Sequence, residues 1–301
     1  MESLKRPVVN ALTFDVEDYF QVSAFDRVLP RSRWKGCEAR VEHNMDALLA
    51  LLDEVRVKAT FFVLGWVAEQ HPALVRRIAA GGHEIASHGF GHRLVYELTP
   101  EAFREDLRRA RWAIEAAGGG PVVGYRAPSY SITKRSLWAL DVLVEEGFLY
   151  DASVFPIRHD RYGIPDAPRH PYVIDRPAGR IWEVPPSTVR WLGANLPVAG
   201  GGYFRLLPYQ WTRWGIAYLN QHEERPAVFY LHPWEFDPEQ PRLPAGLVAR
   251  FRHYHNLDKT AGRLRRLLGD FRWAPLSASL GHVLAAPPRP LAVAAVVAAS
   301  A

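Results

Sequence analysis

The stretch VVNALTFDVED, residues 8–18, joins seven mostly apolar residues directly to three carboxylates. An apolar run of this length is typical of a buried strand. Asp15, Glu17 and Asp18 follow it, and three carboxylates within four positions repel one another unless a cation or an arginine offsets their charge. An isolated pattern of this kind is also common in solvated loops. Its meaning therefore depends on the rest of the chain.

Strand-like and helix-like segments alternate along the chain after this stretch. Apolar periodicity predicts helices at 44–55 and 68–82 and strands at 58–64 and 83–87. A threonine cap, an early proline and terminal glycines bound a further helix at 99–120. Later segments are a helix at 133–146 and strands at 122–126, 181–184 and 227–232, with a long loop predicted at 155–180. This alternation predicts a parallel sheet, open or closed into a barrel.

Composition excludes several classes of protein. With 301 residues, 48% hydrophobic and 23% charged, the chain is globular. Its single cysteine, Cys37, excludes intramolecular disulfides and a thiolate-rich zinc site, so nitrogen and oxygen would have to hold any metal. Dinucleotide and P-loop signatures are absent after the first strand. The net charge is +5, and the basic stretch at 250–272 has the leucine spacing of an amphipathic helix, so no nucleic-acid partner is predicted.

The two ends of the chain carry expectations about location and domains. Residues 1–14 show no apolar segment with a cleavage site, and no run of about eighteen apolar residues occurs, so neither a secretory signal nor a membrane span is expected. A cytoplasmic location, or the cytoplasmic face of the envelope, follows from this expectation. One catalytic domain is predicted over 1–285, with a core at 8–235 and an extension at 236–285. The tail at 286–301, rich in Ala, Pro and Val, is expected to be disordered.

The stretch GGHEIASHGFGH, residues 81–92, contains three histidines. His88 and His92 have i, i+4 spacing, which places both on one face of a helical turn, and the glycines between them relax the backbone. This pair is a candidate for metal binding. His83 precedes an apolar strand and is predicted to be structural.

Two further motifs supply groups for proton transfer. In GYRAPSY, Arg126 at a strand end can orient a carboxylate and lower its pKa. Pro128 fixes the backbone there, so that a following N–H can point at a developing oxyanion. In FYLHPWEF, His232 ends an apolar strand and suits a general acid if a metal lies nearby.

Taken together and in this order, the motifs resemble those of the polysaccharide deacetylase family, the NodB-homology carbohydrate esterases. LTFDVED stands at its T-F-D-D opening, SHGFGH at its metal motif, RAPSY at its arginine motif, YDASVFP at its fourth motif and LHPWE at its terminal L-H. The resemblance covers about residues 8 to 235. The opening DVEDYFQVSAF and the segment after LHPWEFDPEQPR most resemble the subgroup associated with exosortase exopolysaccharide loci.

The resemblance implies an α/β fold, a distorted (β/α) barrel with fewer than eight strands, and a divalent metal, usually zinc, held by one carboxylate and two histidines. The implied roles are as follows: Asp15 as catalytic base, Arg126 as its partner, the Tyr130 N–H as oxyanion donor, His232 as general acid, and His88 and His92 as metal ligands. Pro128, Asp151 and Trp234 are predicted to contact substrate, and Asp151 falls where the family often has an acidic residue that tunes the acid histidine.

The third metal ligand is left open by the sequence. Val16 stands where the family commonly has its metal-binding aspartate, so the ligand is Glu17 or Asp18. An extended strand places Glu17 on the same side as Asp15, whereas an immediate turn brings Asp18 back beside it. The shorter side chain of Asp18 gives it a slight preference.

The function that the resemblance implies is hydrolytic N-deacetylation of N-acetylhexosamine units in an acetylated polysaccharide, with release of acetate. One alternative is hydrolysis of a small cyclic amide or imide, as in allantoinase-like relatives. Another is a catalytically silent carbohydrate-binding protein. Five tryptophans are candidates for stacking on sugar rings, namely Trp182, Trp191, Trp211, Trp214 and Trp234.

Overall fold

The computed structural model describes residues 7–284. Its strands are β1 (Val9–Val16), β2 (Thr60–Val63), β3 (Glu84–Ser87), β4 (Gly124–Tyr125), β5 (Tyr150–Asp151), β6 (Tyr172–Arg176), β7 (Gly179–Glu183), β8 (Thr188–Trp191), β9 (Ala194–Pro197), β10 (Val228–Leu231) and β11 (Arg272–Ala274). Its helices are α1 (Val41–Glu54), α2 (Gly65–Gln70), α3 (Pro72–Ala80), α4 (Pro100–Ala116), α5 (Trp138–Glu145), α6 (Gly201–Leu206), α7 (Tyr209–Gln221), α8 (Leu247–Tyr254), α9 (Leu257–Asp270) and α10 (Leu276–Leu284). Short 3₁₀ turns follow several strands.

The main sheet is built around β1. Seven parallel strands run in the order β10-β1-β2-β3-β4-β5-β7, β6 adds to β7 in the antiparallel direction, and β11 pairs with the first residues of β1. The strands β8 and β9 form a separate hairpin. The predicted α/β class with a mostly parallel sheet is confirmed. In the described part of the chain the seven-stranded path stays open, as in a distorted barrel, and β6 and β11 bring the sheet to nine strands.

Side chains alternate along β1, as its backbone pleat requires. Leu12, Phe14 and Val16 pack into the main core with α1 and the neighbouring helices. Thr13 and Asp15 face the opposite side of the sheet, where they contact Arg126. The sequence of this strand therefore separates a packing face from a polar face.

Several predicted elements have different bounds in the structure. The helix predicted at 68–82 is two helices, α2 and α3, because Pro72 starts a new helix and disfavours helical backbone at the residue before it. The loop predicted at 155–180 is wrong in its last part, where β6 and β7 form a hairpin. The basic stretch forms α8 and α9, and α9 buries Leu264 and Leu267 as predicted. The predicted tail at 286–301 lies outside the described residues.

The parallel topology determines where polar residues meet. The carboxyl ends of parallel strands lie at one edge of a sheet, which is where α/β proteins build their sites. Asp15 in β1, His88 after β3, Arg126 after β4 and His232 after β10 all lie at this edge. Within residues 7–284, no helix is both long enough and apolar enough to span a bilayer.

Candidate active site

Three buried side chains form a cluster that could hold a metal ion. Glu17, His88 and His92 each offer one ligand atom, and these atoms all lie within 4.8 Å of one another. Glu17 Oε2 lies 2.7 Å from His92 Nε2, yet it has no hydrogen-bond partner among the described residues. Burial alone would raise the pKa of Glu17, but the His92 imidazole holds that pKa below its ordinary value. An ionised, unpartnered oxygen beside imidazole nitrogens is the donor set of a nitrogen–oxygen metal site.

The hydrogen bond made by His88 fixes which of its nitrogens is available. Its Nδ1 lies 2.8 Å from the carbonyl oxygen of Arg126. Because a carbonyl can only accept, Nδ1 carries the hydrogen and Nε2 keeps its lone pair, which is the tautomer that such bonds impose on metal-binding histidines. Burial lowers the pKa of His88 to about 4, so the ring is neutral at physiological pH.

The loop that carries both histidines is irregular, so the predicted helical turn is wrong. Gly89 has φ +73°, where an added Cβ would lie 2.8 Å from Asp106 Oδ2, and His92 has φ +50°. Asp106 accepts a loop amide at 2.7 Å. Arg31 donates to two loop carbonyls at 2.7 and 2.9 Å. These two distant side chains hold the loop in a shape that the i, i+4 spacing did not reveal.

The structure places Glu17, and not the preferred Asp18, beside the two histidines. Its carboxylate accepts three backbone N–H groups, from Tyr19 at 2.8 Å, Arg40 at 2.7 Å and Val41 at 3.0 Å. Burial nevertheless raises the pKa of Asp18 to about 6. The chain does not turn back immediately after β1, so the extended alternative applies and Glu17 reaches the histidines instead.

The structure brings Asp15 and Arg126 together as a buried ion pair. Asp15 Oδ1 accepts from Arg126 Nη1 at 2.6 Å, and the same nitrogen lies 2.9 Å from Thr13 Oγ1. The guanidinium also covers the ring of Phe62, at 4.0 Å from its centre. Burial would lower the pKa of Arg126, but the charge of Asp15 raises it overall. The arginine therefore stays charged and fixes the carboxylate in one orientation.

His232 faces the same space as Asp15 and Glu17. Its Nε2 lies 3.8 Å from a carboxylate oxygen of each, while its Nδ1 lies 2.6 Å from Glu235 Oε1. Glu235 in turn accepts from Arg205 Nε at 2.6 Å. Burial would lower the pKa of His232, but Glu235 and the two other carboxylates raise it to about 9. The ring is therefore protonated at neutral pH, as a proton donor must be.

Glu235 and Arg205 were not found from the sequence. The spacing of Glu235, three residues after His232 at the start of a 3₁₀ turn, is a signal that points to it. Arg205 lies 30 residues before Glu235 and has no comparable signal.

The roles assigned to Tyr130 and Pro128 do not fit the structure. The Tyr130 N–H donates to the Ala127 carbonyl at 3.0 Å, so it is not available as an oxyanion donor. Ser129 and Tyr130 have φ +51° and +53°, a region that residues other than glycine rarely adopt, and both line the cavity. Pro128 is buried and is not among the residues that line the cavity.

Asp151 is not among the residues that line the cavity. It is fully buried, its Oδ1 accepts from Ser153 Oγ at 2.5 Å, and it lies beside the buried Glu183. Burial raises the pKa of Asp151 to about 6 and that of Glu183 well above its ordinary value, so this pair holds a proton near neutral pH. Since Ser153 accepts the Ala127 N–H at 2.7 Å, the pair supports the backbone next to Arg126. The carboxylate that contacts His232 Nδ1 is that of Glu235, not that of Asp151.

A cavity of about 440 Å³ unites these groups. Asp15, Glu17, His88, His92 and His232 line its floor, as does Trp234. The Trp234 Nε1–H donates to Glu17 Oε1 at 3.0 Å, and its ring stacks on His232 with centroids 5.1 Å apart. Of the five tryptophans considered for sugar stacking, Trp234 alone lines this cavity. His83 lies elsewhere, where its Nδ1 accepts the Ala59 N–H at 3.2 Å.

Two family models match the chain. Residues 5–143 match the family described as polysaccharide deacetylase, and residues 152–280 match a domain of unknown function, DUF3473. A chitooligosaccharide deacetylase of Rhizobium leguminosarum bv. trifolii is 37% identical over 101 residues, which are 34% of this chain and 44% of that protein. The corresponding protein of Sinorhizobium fredii is 51% identical over 96 residues, which are 32% of this chain and 42% of that protein. These alignments span less than half the length of either relative.

Solved structures extend the likeness to nearly the whole chain. A protein described as a polysaccharide deacetylase from Mycobacterium smegmatis is 25% identical, with a TM-score of 0.60 and 96% coverage of both chains. An allantoinase shares the fold at 15% identity, with a TM-score of 0.61 and coverage of 94% of this chain and 92% of that one. Residues 5–143 match the family model, Asp15, His88 and His232 line one cavity, and a similar structure covers both halves, so the chain contains a polysaccharide deacetylase domain.

Proposed function

We propose that the protein hydrolyses the acetamide group of N-acetylhexosamine units in a polysaccharide and releases acetate. The observation that carries this proposal is the meeting of three kinds of group in one cavity. Glu17, His88 and His92 form a metal-binding set, Asp15 is a fixed carboxylate, and His232 is a protonated imidazole. Hydrolysis of an unactivated amide needs an electrophile, a base for water and an acid for the leaving nitrogen, and these groups supply all three.

The residues present fit a divalent cation, and we propose zinc. Two imidazole nitrogens and one carboxylate oxygen are a common zinc set when a further position remains for water or substrate. The unpartnered Glu17 Oε2 and the free Nε2 of His88 support this fit. When bound, such a cation polarises a carbonyl and makes a water molecule more acidic.

The remaining chemistry belongs to the chain's own side chains. Asp15 takes the proton of the attacking water, and Arg126 keeps its carboxylate oriented throughout. His232 donates its Nε2 proton to the departing nitrogen, which leaves as an amine while acetate forms. Because Asp15 Oδ2 and His232 Nε2 lie only 3.8 Å apart, the base and the acid can both reach the same scissile amide.

We further propose that the domain predicted over 1–285, of which the structure describes residues 7–284, acts as one catalytic unit. The two matched segments, 5–143 and 152–280, contribute neighbouring strands to one sheet, and β10 pairs directly with β1. Both segments also line the cavity, since Asp15 and His88 come from the first and His232 from the second. A first segment expressed alone would therefore lack the acid.

The test is acetate release from N-acetylchitooligosaccharides by the zinc-loaded protein, with allantoin as the comparison substrate. Wild type is expected to release acetate, and Asp15→Asn to lose this activity while it keeps zinc and the fold. Turnover of allantoin without acetate release would favour the cyclic-amide alternative. Glycan binding without turnover of either substrate would favour a silent binding protein.

A further inference from the structure

The rim of the cavity is more positive than its floor. Of the three carboxylates that line the floor, Asp15 and Glu235 are each paired with a buried arginine, and Glu17 lies beside the two histidines of the metal-binding set. Arg161 and Arg252 line the same cavity, and both are exposed. Within residues 7–284, no carboxylate oxygen lies within 4.0 Å of a nitrogen of either guanidinium.

Arg161 is held at the rim by neutral groups. Its Nη2 donates to Ser23 Oγ at 2.9 Å, and Ser23 Oγ lies 2.8 Å from Ser129 Oγ. Ser23 therefore links three loops that surround the cavity, and it leaves most of the guanidinium donors of Arg161 unused. The neighbouring His159 and Tyr162 rings, 3.9 Å apart and nearly parallel, also line the cavity and offer a flat surface beside this charge.

Arg252 reaches the rim from the last turn of α8. Val248, one turn earlier, lines the cavity with it, so one face of this helix presents an apolar and a cationic side chain together. The backbone of this turn is anchored, because Arg205 donates to the carbonyls of Arg252 and His253 at 3.0 and 2.9 Å. The side chain that holds Glu235 in the acid pair thus also fixes the position of Arg252.

The charges of the two arginines both act on His159, which also lines the cavity. Burial lowers the pKa of His159, and the charges of Arg252 and Arg161 lower it further against the opposing effect of Asp160. The Asp160 carboxylate lies 3.0 Å from His159 and not within 4.0 Å of either guanidinium, so the two arginines beside this sugar-sized cavity match a ligand that brings its own negative charge. Guanidinium groups recognise planar carboxylates and phosphates through paired N–H donors.

We propose that Arg161 and Arg252 bind an acidic group, a carboxylate or a phosphate, carried by the glycan next to the N-acetylhexosamine being processed. This inference rests on the proposed deacetylase function and names its substrate class, an anionic rather than a neutral glycan. Because both guanidinium groups are exposed, the preference for an acidic ligand is expected to be modest, about 3- to 10-fold for each arginine at low salt.

The test uses ligands that differ in charge alone. One pair is a hexasaccharide of alternating N-acetylglucosamine and glucuronate and its carboxyl methyl ester. The other is N-acetylchitotetraose with and without a terminal phosphate. Calorimetry on the full chain gives dissociation constants for wild type, Arg161→Gln, Arg252→Gln and the double variant, with Arg250→Gln on the same helix as the matched control. Acetate release is recorded in parallel.

Wild type and Arg250→Gln are expected to bind the charged member of one pair more tightly, and the double variant to lose that preference. The pair that shows the preference tells whether the group is a carboxylate or a phosphate. Equal binding within both pairs, no binding of any acidic ligand, or a preference that survives in the double variant overturns the inference. Acetate release without a charge preference leaves the proposed function intact, whereas a charge preference without acetate release removes the function and keeps the rim site.

Discussion

Replacement of Glu235 by glutamine is expected to move the basic limb of the pH–rate profile to lower pH. Glu235 Oε1 lies 2.6 Å from His232 Nδ1 and is the main group that raises the pKa of His232 to about 9. Burial acts in the opposite direction, so once the charge is gone the imidazolium is disfavoured and the pKa falls. An opposite charge at this distance is typically worth about one to three pH units.

The size of the effect follows from the protonated fraction of His232. If the pKa falls from about 9 to about 7, that fraction at pH 8 drops from roughly nine-tenths to roughly one-tenth, so acetate release at pH 8 should fall about tenfold. The rate near pH 6 should change little. Glutamine can still accept the Nδ1–H through its Oε1, which keeps the ring orientation.

The assay is acetate release between pH 5 and about 10 for wild type, Glu235→Gln and Glu239→Gln. Glu239 is exposed in the same segment and serves as the matched control. Because Arg205 loses its buried partner, the free energy of unfolding of the variant is expected to fall by about 3–5 kcal/mol. Rates are therefore compared well below the melting temperature of the variant. A basic limb that stays in place in Glu235→Gln would refute this account of His232.

Three further predictions test the floor of the cavity. His88→Ala should lose bound zinc and turnover together while His83→Ala keeps both, as measured by elemental analysis; zinc retained in His88→Ala would contradict the site. Glu17→Gln should weaken zinc binding by more than the roughly 10–100-fold expected when a residue that only contacts a metal ligand is replaced. Asp18→Asn should keep zinc and lower the free energy of unfolding by about 1–3 kcal/mol, because an asparagine amide cannot accept all three backbone N–H groups. The reverse pattern would restore Asp18 as the ligand. Asp15→Asn should keep zinc and slow acetate release by about 10²–10⁴-fold, and a near-normal rate would exclude Asp15 as the base.

Much of this architecture could be predicted from the sequence because it depends on local patterns. The apolar run of β1 and the alternation of strands and helices predicted a parallel sheet, and a parallel sheet brings its carboxyl ends to one edge. His88, Arg126 and His232 each follow such a strand, so motif order alone placed them near Asp15.

The errors have a common physical cause, since each depends on contacts between distant residues. The choice between Glu17 and Asp18 is decided by the amides of Arg40 and Val41, 22 and 23 residues further along, which capture the Asp18 carboxylate. Asp151 is buried against Glu183, which comes from a hairpin that was predicted to begin as a loop.

The remaining error concerns the backbone after Arg126. The proline there predicted a fixed turn but not its hydrogen bonding, and the Tyr130 N–H is used inside that turn. Arg31, Asp106 and Arg205 hydrogen-bond to residues of the site from other parts of the chain. Their spacing in the sequence does not indicate these contacts.

The proposed N-deacetylase activity requires one cation, held by Glu17, His88 and His92. The most direct measurement strips the protein with a chelator and titrates zinc back while acetate release from an acidic N-acetylated oligosaccharide is recorded. We expect the stripped protein to be inactive and the activity to rise linearly to a plateau at one zinc per chain. Acetate release that persists without metal, or no acetate release when one zinc is bound, would refute a metal-dependent N-deacetylase.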